Sequence, residues 1–416
     1  MNLSKTMTVF FIANLIAAGA TAQTRSSANA PAFSGKNGIG LVMPDSSFSI
    51  NFRFRTQNRI GFAADDENLG NITEADFRVR RMRLRFDGFM LNPRLTYNIQ
   101  LSFTRADQDW DNSGVPLVLR DAMVHYELAK HLRVSMGQGK LPGNRQRVVS
   151  SGEIHFTDRS IVNGAYTLDR DIGLFANYRL NLGKKPYLLF KGAITSGEGR
   201  GVANSKEFSN TVLPNGGLAY TGRVEFLPLG EFTNKGDYFE GDLEREQSPK
   251  LSIAATYHYN DRGIRTQGQL GKLLYSARSF VGTNVDLLFK YRGWALASEF
   301  ISRRMDKGQS AITRRSATDS VYVLVGQGLN TELSYTFKNM WELAGRYAYT
   351  NPDKALYKVG RDGNKNEEYA FALIKYLKKH RVKVVNEFSY YRRSDMVTGS
   401  KVSGLCGFKC QVELGI

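Results

Sequence analysis

Cysteine is almost missing from this sequence: Cys406 and Cys410 are the only two in 416 residues. On one strand they would share a face but stand about 13 Å apart at ~3.3 Å per residue. A disulfide needs Cα atoms within about 7 Å, so the two are read as small apolar residues of a strand. Histidine is as sparse. His125, His131, His155, His258 and His380 lie far apart, with no His-Glu-x-x-His or Cys/His cluster, so neither a metal site nor a cofactor follows from spacing. No Gly-x-Ser-x-Gly occurs, and the glycine run at 197–201 opens no apolar-periodic helix, which removes the hydrolase elbow and the dinucleotide loop. Long apolar runs are missing too. After residue 22 nothing approaches the ~18 residues of a transmembrane helix. Negative charge is short, with 39 acidic against 57 basic residues and a net charge of +18. Such a balance implies an anionic partner.

Residues 1–22 have the marks of an export signal: Lys5 in the n-region, an apolar run from Met7 to Ala18, and Ala20-Thr21-Ala22 before Gln23. The signal holds one lysine and no acid, so its removal leaves +17. Export, together with the lack of helical basic motifs or zinc-type spacing, argues against nucleic acid as the partner. Residues 23–46 are rich in Ser, Gly, Ala and Pro and show no period, so they are expected to be a flexible leader on the periplasmic side, with no heptads for a coiled coil.

What the chain has in abundance is alternation. In Ser47–Leu91, Phe48, Ile50, Phe52, Phe54, Ile60 and Phe62 fall on one parity, and Ser49, Asn51, Arg53, Arg55, Gln57 and Arg59 on the other. Successive side chains of a strand point to opposite faces, so this is a strand with one apolar and one basic face. Met82, Leu84 and Phe86 repeat the pattern against Arg83, Arg85 and Asp87, and a parity slip at Arg80-Arg81 predicts a bulge. The same reading continues to Ile416 and yields about 16 strands, an even number as single-chain outer-membrane barrels have. Connections alternate between tight turns, such as Asn92-Pro93, Arg292-Gly293 and Lys379-His380, and long polar segments, such as 142–170 and 304–319. Short turns on one side and long loops on the other predict an all-β, transmembrane antiparallel barrel over 47–416 in the outer membrane of a Gram-negative-type bacterium, with lipid as its outer partner. One connection, 229–249, is long on the short side, and the sequence supplies no reason for it.

The polar faces then line water. Arg53, Arg55, Arg59, Arg78, Arg83 and Arg85 stack along two neighbouring strands, about 6.6 Å per step, and rings of such cations serve anion pores. Later strands place Glu225, Asp286, Glu299, Glu332, Glu342 and Glu387 inside, with Arg223, Lys290, Arg303, Arg346 and Lys383. One wall is basic and the opposite wall mixed. The 142–170 segment exceeds ordinary loop lengths and carries Arg145, Arg147, Glu153, His155, Asp158, Arg159, Arg170 and Asp171. It is expected to fold into the lumen, pair with the arginine wall and set the constriction. The expected pathway for small, phosphate-like anions is therefore Arg53, Arg55, Arg59, Arg78, Arg83, Arg85, Arg145, Arg147, Arg159, Arg223, Lys290 and Arg346. A general-diffusion pore and a structural or adhesive barrel remain alternatives; a barrel enzyme finds no nucleophile–His pair singled out.

Several segments resemble the phosphate-selective porin O and P family: RVRRMRLRFDG at 78–88 with PRLTYNIQLSF at 93–103, LRDAMVHYEL at 119–128, the run at 137–166, RDIG at 170–173, GRVEFLPLG at 222–230, the region 289–300, WELAGRYAY at 341–349 and KKHRVKVV at 378–385. The resemblance implies a trimeric barrel whose third outer loop folds into the lumen, with arginines and lysines conducting phosphate in some relatives. This chain departs in ending on Ile416, where many such barrels end on Phe.

Overall fold

Lipid offers no hydrogen bonds, so a strand protein that crosses it must close its sheet and leave no edge. The chain does so. A computed structural model describes residues 32–34, 38–104, 118–200 and 217–416; the expected signal at 1–22 and most of the outer segments at 105–116 and 197–217 lie outside them. An 18-stranded antiparallel sheet contains two short leading strands, Ala32–Ser34 and Ile39–Val42, and 16 barrel strands. In chain order the barrel strands are β1 (Ser49–Asp65), β2 (Ile72–Met90), β3 (Asn92–Ser102), β4 (Leu119–Ala129), β5 (Leu132–Lys140), β6 (Arg170–Asn181), β7 (Tyr187–Thr195) and β8 (Ala219–Leu227). They continue as β9 (Lys250–Arg265), β10 (Leu273–Tyr291), β11 (Trp294–Met305), β12 (Gly326–Thr336), β13 (Trp341–Pro352), β14 (Lys365–Lys378), β15 (Val382–Ser394) and β16 (Lys401–Gly415). Each pairs with its neighbour in sequence, and β16 closes on β1 from Leu405↔Asp65 to Gly415↔Arg55.

Alternation sets the faces. On β9, Ile253 and Tyr257 are exposed while Ala254, Thr256, His258 and Asn260 are buried; on β15, Phe388 is exposed and Glu387 and Ser389 are buried. The apolar set meets lipid and the polar set points inward, and both cysteines are free. The bulge is where the parity slip placed it: Gln57 pairs with Arg81 and Asn58 with Val79, leaving Arg80 as the extra residue. The tight turns use left-handed backbone, as at Arg292-Gly293, where φ is 50° and 97°. Positive φ at both central residues suits the right-handed twist of a hairpin.

Part of the expected flexible leader is a strand, while its residues 23–31 lie outside the described residues. Ile39–Val42 pairs with β1, Ile39 opposite Phe52 and Val42 opposite Ser49, beyond the point where β16 stops. Short as it is, the strand covers backbone groups that β1 would otherwise leave unpaired. The long connection on the short-turn side also acquires a reason. Lys290 reaches in from β10 and donates to the carbonyls of Gly236 (2.7 Å), Phe239 (2.9 Å) and Gly241, while Phe232 packs with Tyr187, Leu227 and Leu288. The connection is therefore folded into the barrel mouth, its carbonyls solvating a buried ammonium.

Candidate functional site

The segment between β5 and β6 lies inside the barrel and is bonded to both walls. On the mixed wall, Arg145 donates to Glu225 (2.8 Å), Asp286 (2.6 Å) and Ser252 (2.7 Å). The Gln146 side chain donates to Glu332 (2.7 Å) and its backbone N–H to Glu299 (3.1 Å). Further on, Thr157 donates through backbone and hydroxyl to Glu387, each at 2.7 Å, and the Ile161 amide to Glu368 at 2.9 Å. On the basic wall, Asp158 accepts from Arg80 (2.9 Å), Arg81 (3.1 Å) and Arg59. Burial by itself would raise the Asp158 carboxyl, but Arg80, Arg81 and Arg59 outweigh it and hold it well below the usual carboxylate range. The segment thus bridges the cross-section. The expected contact with the arginine wall is present, and a second set of contacts to the acidic wall accompanies it.

Below this bridge, at the short-turn end, is a cavity of about 910 Å³. Four arginines form one side of it. Across the β1–β2 ladder Arg53 is opposite Arg85 and Arg55 opposite Arg83, so two like-charged pairs stand one step apart. Like charges directly opposite on a ladder repel. Asp87 offsets this by accepting from Nε of Arg53 and Nε of Arg85, each at 3.1 Å. Arg55 donates to Ser150 (3.2 Å) and Ser151 (2.8 Å) and lies 3.7 Å from Glu413; Arg83 donates to Ser151 at 2.9 Å. The serines of the inserted segment thus hold two guanidinium forks in place without cancelling their charge. Asp242, Glu244 and Glu246 of the folded-in connection line the other side of the cavity.

The structure sorts the twelve expected pathway residues into different environments. Arg53, Arg55, Arg83 and Arg85 line the cavity, and Lys290 borders it while holding carbonyls. Arg59 is buried between Asp76 (2.7 Å) and Asp158, and Arg78 pairs with Asp76 while half exposed. Arg145 and Arg223 share Asp286, Arg346 lies between Glu332 (2.8 Å) and Glu368 (3.1 Å), and Arg147 is bound to Asp169. Arg159 donates to the carbonyls of Gln146 (2.6 Å) and Val149 (2.8 Å), and among the described residues no carboxylate lies within ion-pair distance of it. Sequence reasoning passed over Arg80, Arg81 and Lys140. The first two were treated as a register slip; Lys140 closes β5 and donates to Val148 and Val149 carbonyls at 3.0 and 3.4 Å. No local signal marks Lys140, which falls on the same strand parity as the exposed Met136.

The buried pairs allow a direct test of structural against conducting roles. Arg145→Met should cost about 1–3 kcal/mol, because Glu225 and Asp286 each lose one buried partner while Lys191 still holds Glu225 and Arg223 still holds Asp286. Urea unfolding should detect that loss, while the zero-current potential of the folded channel should stay at the wild-type value.

The model of the phosphate-selective porin O and P family matches residues 51–397. The chain belongs to this family. Among curated proteins no relative matches the chain. Among solved structures, the porin is similar to OmpF of Salmonella typhi in complex with daunomycin, at 13% identity and TM-score 0.54 over 89% of this chain and 99% of that one. It is similar also to an anion-selective porin from Comamonas acidovorans, at 11% identity and TM-score 0.51 over 89% and 100%. A third is OmpT of Vibrio cholerae in its trimer form, at 9% identity and TM-score 0.50 over 89% and 100%. At such identities the likeness is one of fold. Family and fold together make the protein an outer-membrane channel.

Proposed function

We propose that this porin passes small anions, phosphate-like oxyanions foremost, along the Arg53–Arg55–Arg83–Arg85 block, and that it works as a homotrimer. The carrying observation is the block itself: two cross-strand arginine pairs, one step apart, on the wall of the 910 Å³ mouth. A desolvating oxyanion needs fixed donors in place of water, and planar guanidinium forks match its oxygens in pairs. The family's description as phosphate-selective and the anion selectivity of the Comamonas acidovorans porin support the sign of the charge carried; the trimer form of the Vibrio cholerae protein supports the assembly. The zero-current potential across a planar bilayer in a KCl gradient tests the reading. Chloride preference is expected, with added phosphate reducing the chloride current. A cation-selective channel would refute it. An unselective channel would favour general diffusion, a reading supported by the acidic side chains Asp242, Glu244 and Glu246 on the facing side of the same mouth.

A further inference from the structure

Deep in the barrel, where the constriction segment, the folded-in connection and the wall meet, acceptor atoms converge without enough donors. His155 comes from the first, Glu240 from the second and Glu332 from β12. They are 2%, 5% and 1% exposed. One ligand-capable atom from each lies within 4.8 Å of those of the other two. Oε1 of Glu332 is saturated by Gln146 (2.7 Å), Arg346 (2.8 Å) and Asn330 (3.2 Å). Its Oε2 is buried and has no hydrogen-bond partner, and neither has the Oδ1 of Asn330. Glu240, Glu332 and Asn330 border one cavity of about 20 Å³, which Arg145 also lines and which lies beside His155 rather than against it. About 10–15 Å³ suffices for one water-sized guest. Orphaned acceptors around a space of that size call for a donor or a cation.

We propose that His155, Glu240 and Glu332 form a binding site for a divalent transition-metal ion of the zinc type. One imidazole nitrogen with two carboxylate oxygens is a donor set such ions accept, with a fourth position left for water or another side chain. The surroundings agree. His155 Nδ1 lies 3.2 Å from Glu342 Oε1, the carboxylate partner a metal-bound imidazole ordinarily has. The contacts between the segments also place the ligands without the ion: the Glu240 amide donates to Glu153 O, and the His155 amide to Glu240 Oε2, both at 2.8 Å. The three ligands come from three separate parts of the chain, so no spacing motif announces them. An ion there would pin constriction segment, connection and wall to one point.

Calorimetric titration of the detergent-solubilised full chain with ZnCl₂, after chelator treatment, decides the matter. A single saturable Zn²⁺ per chain is expected, with affinity lowered about tenfold or more in Glu240→Gln and in His155→Gln. His131→Gln, a change at an exposed turn, should bind as wild type does. Heat-modifiable mobility on gels reports folding of each variant, and His155→Gln carries the test should Glu240→Gln not fold. No stoichiometric binding by wild type, or binding lost with His131 and kept by the other two variants, would overturn the site.

Discussion

Replacing Arg53, Arg55, Arg83 and Arg85 together with serine is expected to abolish anion preference, lowering the chloride-to-potassium permeability ratio by about tenfold or more. A unit charge 4 Å from an ion is worth about 4 kcal/mol at an effective dielectric of about 20, and salt at physiological strength screens it over about 8 Å. Even a tenth of that figure for each guanidinium, compounded over four, reaches the stated ratio. The change removes the cross-strand repulsion of Arg53 with Arg85 and of Arg55 with Arg83 together with the hydrogen bonds to Asp87, Ser150 and Ser151, so heat-modifiable mobility on gels checks that the variant is folded. Asp87 and Glu413 stay behind on that wall, which makes a cation-leaning channel the extreme outcome. Reversal potentials in asymmetric KCl measure it. An unchanged ratio would move the selective element up to Lys140 and Arg159.

Deleting residues 148–165 should raise single-channel conductance severalfold and lower resistance to unfolding at the same time. The conductance follows from removing a bridge that crosses the lumen. The loss of stability follows from what the bridge leaves behind: Lys383 donates to the carbonyls of Gly152 (3.0 Å) and Ile154 (2.7 Å), and Glu387 accepts twice from Thr157. Buried polar groups that lose a partner cost about 1–3 kcal/mol each, and charged ones more. Bilayer conductance and urea titration read the two effects separately. A deletion that leaves conductance unchanged would place the narrowest point at the folded-in connection over 229–249.

Much of this molecule was legible in the sequence because a barrel wall is a one-dimensional code. Period-2 alternation in Ser47–Leu91 gave the two faces, the parity slip gave the Arg80 bulge, and the excess length of 142–170 marked the segment that enters the lumen. The chemistry of individual arginines was not legible in the same way. Arg145 and Arg53 look alike on paper, both inward-facing and basic. Arg145 meets Glu225 and Asp286 from across the barrel, whereas Arg53 faces Arg85 on the next strand. Whether a cation is open or consumed depends on long-range neighbours that no local pattern carries. The connection at 229–249 was opaque for the same reason, since its carbonyls answer to Lys290, a residue on the strand after next. The leader strand Ile39–Val42 escaped because four residues with one glycine are too few to show a period.

The segment tied to both walls also has a mechanical consequence. An empty 16-stranded hoop can ovalise when lateral pressure in the bilayer changes, because each strand pair resists only bending along its ladder. Here Asp158 grips one side and Arg145, Thr157 and Ile161 grip the other, so the hoop carries an internal spoke. Squeezing the ring would have to stretch charged hydrogen bonds before it could narrow the opening. A spoked ring of this kind keeps its bore when the membrane around it thickens, thins or crowds, and its open-channel current should be quiet across bilayers of different lipid chain length.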